Sequence, residues 1–167
     1  MVVLTACNTK TTQKSNNISQ EVKKQVEVST GEVLFSMRRT GCLGPCPVYE
    51  LKLFANGTIQ YWGIHETDRL GKYQAKTDTQ SKYKAILEKA LKMDYFEMSD
   101  LYPEDYNMIM DAPACIISIS HKGEMKTIKT KMGAPQKLAE LQDYADILWL
   151  EESLEWKPVA MEPIQNN

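Results

Sequence analysis

The sequence predicts an α+β domain: a two-layer sandwich in which a six-stranded, largely antiparallel sheet carries two helices on one face, in the order ββββαββα. Three observations lead there. Six short runs alternate apolar and polar residues with the period of two that a half-buried strand requires. Two longer runs, one starting near Asp78 and one at Pro135, repeat apolar residues at helical spacing. Short turn-forming links join neighbouring runs, and strands joined in that way are antiparallel.

The first strand spans Glu32 to Arg39, with Val33, Phe35 and Met37 on one side. In Tyr49-Glu50-Leu51-Lys52-Leu53 the apolar residues again fall on every second position. Asn56-Gly57 follows. Both residues tolerate positive φ, which predicts a two-residue type I′ turn. Ile59 and Tyr61 resume the alternation in the third strand. After a polar link from His65 to Leu70, Gly71 to Lys76 forms a fourth strand with Tyr73 and Ala75 inward.

Asp78 or Thr79 is expected to cap the first helix, whose apolar stripe is Tyr83, Ile86, Leu87, Ala90 and Leu91. Asp94 to Pro113 has no clean period and mixes carboxylates with aromatic rings. So long a loop is often functional, or it contains a helical turn. Ala114 to Ser120 and Met125 to Thr130 are strands joined by the turn at His121 to Glu124. Pro135 opens the last helix, where its missing N–H costs nothing. The expected core is Leu51, Leu53, Ile59, Tyr61, Leu87, Leu91, Ile117, Ile119, Leu141 and Leu148. The single domain covers 32–156, and residues 157–167, with Pro158 and Pro163, form an extended tail.

Between the first two strands lies Cys42-Leu43-Gly44-Pro45-Cys46-Pro47. Its glycines and prolines exclude helix and ladder pairing, so the chain turns tightly and brings two sulfurs near one another. A structural disulfide between Cys42 and Cys46 is the reading adopted; a redox-active pair and a metal pair are the alternatives. Thioredoxin-type motifs place two cysteines two residues apart at a helix N-terminus, which lowers the thiol pKa. Here the spacing is one longer and Pro47 leads into a strand. Zinc needs two further ligands, and His65, His121 and Cys115 sit in unrelated segments. Cys115, inward on its strand, is expected to be a buried inert thiol.

Arg39, Gly41, Cys42, Gly44, Cys46, Pro47 and Tyr49 precede Gly57, Tyr61 and Gly63. Further on come Asp111 with Pro113, and Trp149 or Trp156. In these residues the chain resembles, over roughly Glu32 to Trp156, an exported bacterial family recorded as a domain of unknown function and numbered 6438. The resemblance implies fold and an exported location; it implies no activity. Arg39, Tyr49 and Asp111 are the candidate functional surface. Asp111 is expected to bond turn amides or to pair with Arg38 or Arg39.

At the other end, Leu4-Thr5-Ala6-Cys7 resembles a bacterial lipobox: an aliphatic residue, two small ones, then the cysteine that is acylated. Residues 1–7 are read as the end of a lipoprotein signal, with Cys7 as the lipidation site. The apolar run before Cys7 is short and lacks a basic start, so a longer natural signal is expected upstream. Residues 8–31 begin with an almost wholly polar stretch that cannot bury enough surface to order itself, and read as a flexible tether. As a random coil, Cys7 to Glu32 spans roughly 25–30 Å. No segment is long and apolar enough to cross a bilayer as a helix.

A formal net charge of −2 argues against a nucleic-acid partner, which needs a clear basic excess. Lys122, Lys126, Lys129 and Lys131 read as a solvated strand face. The sequence holds no Gly-rich phosphate loop after a strand, no Gly-Xaa-Ser-Xaa-Gly elbow and no His-Glu-Xaa-Xaa-His. The acidic loop lacks the ligand spacing of a calcium loop. The expected function is that of a non-enzymatic cell-envelope lipoprotein, without cofactor or metal, that engages a protein or glycan in the periplasm. Its membrane contact is the lipid anchor at Cys7. The alternatives are a thiol–disulfide redox protein using Cys42 and Cys46, and a metal-binding module.

Overall fold

A computed structural model describes residues 31–105, 111–150 and 154–159. The elements are β1 (Val33–Arg39), β2 (Val48–Phe54), β3 (Thr58–His65), β4 (Gly71–Lys76) and α1 (Thr79–Lys92), then a 3₁₀ turn at Tyr95–Glu97. They continue with β5 (Leu101–Tyr102), β6 (Cys115–His121), β7 (Glu124–Thr130), α2 (Gln136–Leu150) and β8 (Lys157–Pro158). One open sheet runs β5-β7-β6-β1-β2-β3-β4-β8. It is mixed but mostly antiparallel, because only β5 runs parallel to its neighbour.

The class is α+β as predicted, but the sheet has eight strands and not six. The additions, β5 in the acidic stretch and β8 at the start of the expected tail, are two residues each. A two-residue strand has no period to read; its position is set by the edge it joins. The acidic stretch also holds the 3₁₀ turn. Cys7, most of the 8–31 tether and residues 160–167 lie outside the described residues. No helix among the described residues is long and apolar enough to cross a membrane.

The β2–β3 connection corrects the expected turn type. Gly57 alone adopts positive φ, +83°, and its N–H bonds the carbonyl of Phe54 at 3.1 Å. That is a turn over Ala55 and Asn56 followed by a left-handed glycine, the three-residue hairpin with a bulge. Asn56 uses its Oδ1 to accept the Thr58 N–H at 3.0 Å. The two-residue turn with positive φ at both central positions occurs between β6 and β7, at Lys122 (+53°) and Gly123 (+83°).

Register puts the inward side chains in rows. Met37 lies opposite Leu51 on one side and Ile117 on the other; Leu51 faces Tyr61, and Ile117 faces Ile128. These residues share one cluster with Ile86 and Ala90 of α1 and with Leu138, Leu141, Ala145 and Trp149 of α2. Of the expected core, Leu87 and Leu148 are only partly buried, and Leu91 is 45% exposed. The α1 stripe is centred on Ile86, Ala90 and Met93, so Leu91 sits about 100° beyond it. Asp78 caps α1 by accepting the N–H groups of Gln80 and Ser81. The Pro135 carbonyl takes the first amide bonds of α2, from Leu138 and Ala139.

Candidate functional site

At the sheet end where β1 stops, register lines up Thr130, Cys115, Arg39, Tyr49 and Gly63 on five adjacent strands. All five continue the inward-facing rows. Burying an arginine here demands a counter-charge, and α2 supplies it. Gln142 and Asp146, four residues apart and so on one helix face, border the buried stripe of Leu138, Leu141 and Ala145.

Arg39 Nη2 donates to Asp146 Oδ2 at 2.5 Å, and Arg39 Nε donates to the Tyr49 hydroxyl at 3.0 Å. The Tyr49 hydroxyl in turn donates to Asp146 Oδ1. Each member therefore bonds the other two. Next to them, Gln142 Nε2 donates to Thr130 Oγ1 at 2.8 Å, and Thr130 Oγ1 donates to the Cys115 carbonyl at 3.2 Å. The network fastens α2 to β1, β2, β6 and β7.

Electrostatics follow from the burial. Desolvation pushes the Tyr49 phenol up, and the Asp146 carboxylate pushes it further, so Tyr49 stays a neutral donor. Burial works against the Arg39 charge and the Asp146 carboxylate that it bonds favours it; on balance its pKa rises. The Cys115 thiol is pushed up to about 12, chiefly by burial. It is a poor nucleophile near neutral pH, because the thiolate is the reactive form.

A cleft of about 400 Å³ opens beside this network, lined by Arg39, Cys46, Pro113, Cys115, Met132 and Asp146 among others. One wall is the loop closed by the Cys42–Cys46 disulfide, with Cα atoms 5.7 Å apart. Within it the Cys46 N–H bonds the Gly44 carbonyl at 2.8 Å, and the Gly44 N–H points at Cys42 Sγ at 3.2 Å. Cys42 and Cys46 are half-buried, and the loop between them stands in solvent, with Leu43 91% exposed at the tip. Met132, on the link from β7 to α2, also lines the cleft and is 68% exposed.

Gly63 ends the same row for a steric reason. A Cβ there would lie 1.9 Å from the Arg69 carbonyl oxygen and 2.6 Å from Thr67 Oγ1. The β3–β4 loop folds down onto that bare position and holds the Arg69 guanidinium over the rings of Tyr61, Tyr73 and Trp156, at 5.9, 5.7 and 5.2 Å. Tyr61 stacks on Tyr49 at 5.7 Å, so the aromatic group and the polar network are continuous.

Of the residues singled out in the sequence, Arg39, Tyr49, Cys42 and Cys46 come together at this end. Asp111 is exposed, at φ +58°, and it is not the partner of Arg39: that carboxylate belongs to Asp146. Asp146, Gln142 and Arg69 were missed. The available signal was Arg39 itself, a charge at an inward strand position that needs a partner across the core. In the acidic stretch Asp100 is paired with Lys126 at 2.6 Å. Among the described residues no group of three or more His, Cys, Asp or Glu side chains is arranged to hold a metal.

Residues 33–148 match the family described as Domain of unknown function (DUF6438). The chain belongs to this family. No curated protein matches it. The DUF6438 segment contains the whole Arg39–Tyr49–Asp146 network and the disulfide, whereas Trp156 of the Arg69 cage lies just beyond it.

Proposed function

We propose that the chain is a non-enzymatic binding module of the bacterial cell envelope, lipid-anchored through Cys7 and held by the 8–31 tether. The domain faces the periplasm or cell exterior and engages a protein or glycan at the cleft. What carries this reading is that the polar groups of the cleft consume one another. Arg39, Tyr49 and Asp146 close a three-membered network, Cys42 and Cys46 are bonded to each other, and Cys115 is held as a thiol. Such a site is built to be rigid. Met132 in its lining and Leu43 on the disulfide loop beside it are exposed apolar side chains of the kind that anchor a contact. The disulfide suits an exported, oxidising location. The two-layer arrangement, with both helices on one sheet face, is supported by the single cluster that unites inward strand residues with both helices.

A thiol–disulfide redox role is the second reading. It is favoured by the exposed disulfide loop and by Arg39 in the same cleft as Cys46. Against it stands that, among the described elements, neither sulfur sits at a helix N-terminus that would stabilise a thiolate.

The test uses the full-length chain in intact cells. A photo-cross-linking side chain placed at Leu43 or at Met132 captures the same partner, and one at Leu91 on α1 does not. Cys7→Ser moves the protein out of the membrane fraction. Capture at Leu91 but at neither Leu43 nor Met132, or membrane retention of Cys7→Ser, contradicts the reading.

A further inference from the structure

The sheet face opposite the core carries charge that the chain as a whole does not. Register places Arg38, Lys52, Lys72, Lys76, Lys129 and Lys157 on that outer side, and Glu50 is the acidic residue among them. Among the described strand residues of this face, six cations stand against one carboxylate, Glu50, which pairs with Lys52 at 2.6 Å; their formal charge is +5, within a chain whose net charge is −2. The buried apolar members of both helices belong to the cluster on the other side. Trp62 and Ile64, 41% and 42% exposed, stand on the same outer side of β3, and the Lys72 ammonium lies 4.9 Å from the Trp62 ring centre.

From Lys129 on β7 to Lys157 on β8 there are six strand spacings, about 29 Å at roughly 4.8 Å each. The cations are spread over that width in three rows and do not follow one line. A linear polyanion is held by a groove that tracks it. A broad array on an open sheet matches a planar anionic surface. Trp62 and Ile64 add the other component of a membrane contact, since tryptophan favours the headgroup level and aliphatic side chains the acyl boundary.

We propose that this outer sheet face docks on an anionic phospholipid surface. The cations lie over headgroup phosphates, and Trp62 with Ile64 enters the interface at one side. The idea takes its setting from the lipid anchor proposed above: the anchor holds the domain near the bilayer, and the basic face would orient it there. Docked this way, the domain would turn its helices away from the membrane.

The test uses the Cys7→Ser chain, which carries no acyl group, so that a failure here leaves the anchor reading standing. Its sedimentation is measured with phosphatidylcholine vesicles, with and without phosphatidylglycerol. The protein pellets only with the phosphatidylglycerol vesicles and is released by high salt. Lys72→Glu with Lys129→Glu weakens the partitioning about 30-fold or more, taking roughly a fivefold loss per surface cation removed. Lys84→Glu with Lys92→Glu on α1 changes the net charge equally and leaves partitioning within about twofold, because those lysines do not face the lipid. Melting curves establish that each variant is folded; should the first pair not fold, Lys129→Glu with Lys157→Glu replaces it. Pelleting that ignores phosphatidylglycerol, equal loss in both variants, or capture of soluble dextran sulfate without vesicle binding would overturn the proposal.

Discussion

Replacing Asp146 by Asn keeps the shape of the side chain and removes the charge that faces Arg39. The amide presents one acceptor oxygen where two carboxylate oxygens now serve Arg39 Nη2 and the Tyr49 hydroxyl. One of those donors is then stranded. A hydrogen bond to a charged group contributes about 1.5–3 kcal/mol, and stripping one partner from a fully buried pair costs about 3–5 kcal/mol. The two side chains keep 24% and 28% of their exposure, so water screens part of the loss and about 2 kcal/mol is expected. For a domain of this size that lowers Tm by roughly 8 °C. Urea titration and a thermal melt near neutral pH measure it. The companion Arg39→Met/Asp146→Leu removes both charges and recovers part of the loss, because no charge is left buried alone. A shift under about 0.5 kcal/mol for Asp146→Asn, the range of ordinary surface changes, would refute the view that this network fastens α2 to the sheet.

Gly63→Ala forces the β3–β4 loop off the sheet, since the added methyl meets the Arg69 backbone. A loss of about 1–3 kcal/mol is expected in a denaturant titration, with altered tryptophan fluorescence as Trp156 loses Arg69. Ile86→Ala costs about 2–5 kcal/mol, whereas Leu91→Ala on the same helix costs under about 1 kcal/mol; equal losses would mean that α1 is rotated. The Cys115 thiol is raised in the folded state, so its contribution is fully present below the unfolded value near 9 and fades as pH rises towards about 12. Tyr49, raised by burial, acts in the same direction. Melts at a series of alkaline pH values therefore fall more steeply for the natural chain than for Cys115→Ala.

Much of this was legible in the sequence, for physical reasons that differ by element. β1 to β4, β6 and β7 each bury one face, and the alternation that burial imposes is visible in a run of six or more residues. β5 and β8 exist because an edge offers unpaired amides to a passing segment, and that depends on the finished sheet. Asn56-Gly57 signals a turn, but whether both residues or only the glycine adopts positive φ is decided by strand twist and by Thr77, which bonds the Gly57 carbonyl. Leu91 was misplaced because a five-residue stripe does not fix which edge of it faces the core. At the site, the disulfide loop and the inward position of Arg39 could be read locally. Asp146 could not: it lies 107 residues away on a helix that also carries Asp143, and only the packing angle of α2 selects between them.

The proposed binding cleft is braced by a structural disulfide, and insulin reduction paired with thiol counting tests that proposal most directly. Cys7→Ser protein, purified without reductant and denatured, should yield one titratable thiol, that of Cys115, and the folded protein should not accelerate insulin reduction. Three thiols per chain, or catalytic turnover that disappears in Cys46→Ser, would contradict it and make Cys42 and Cys46 a redox centre.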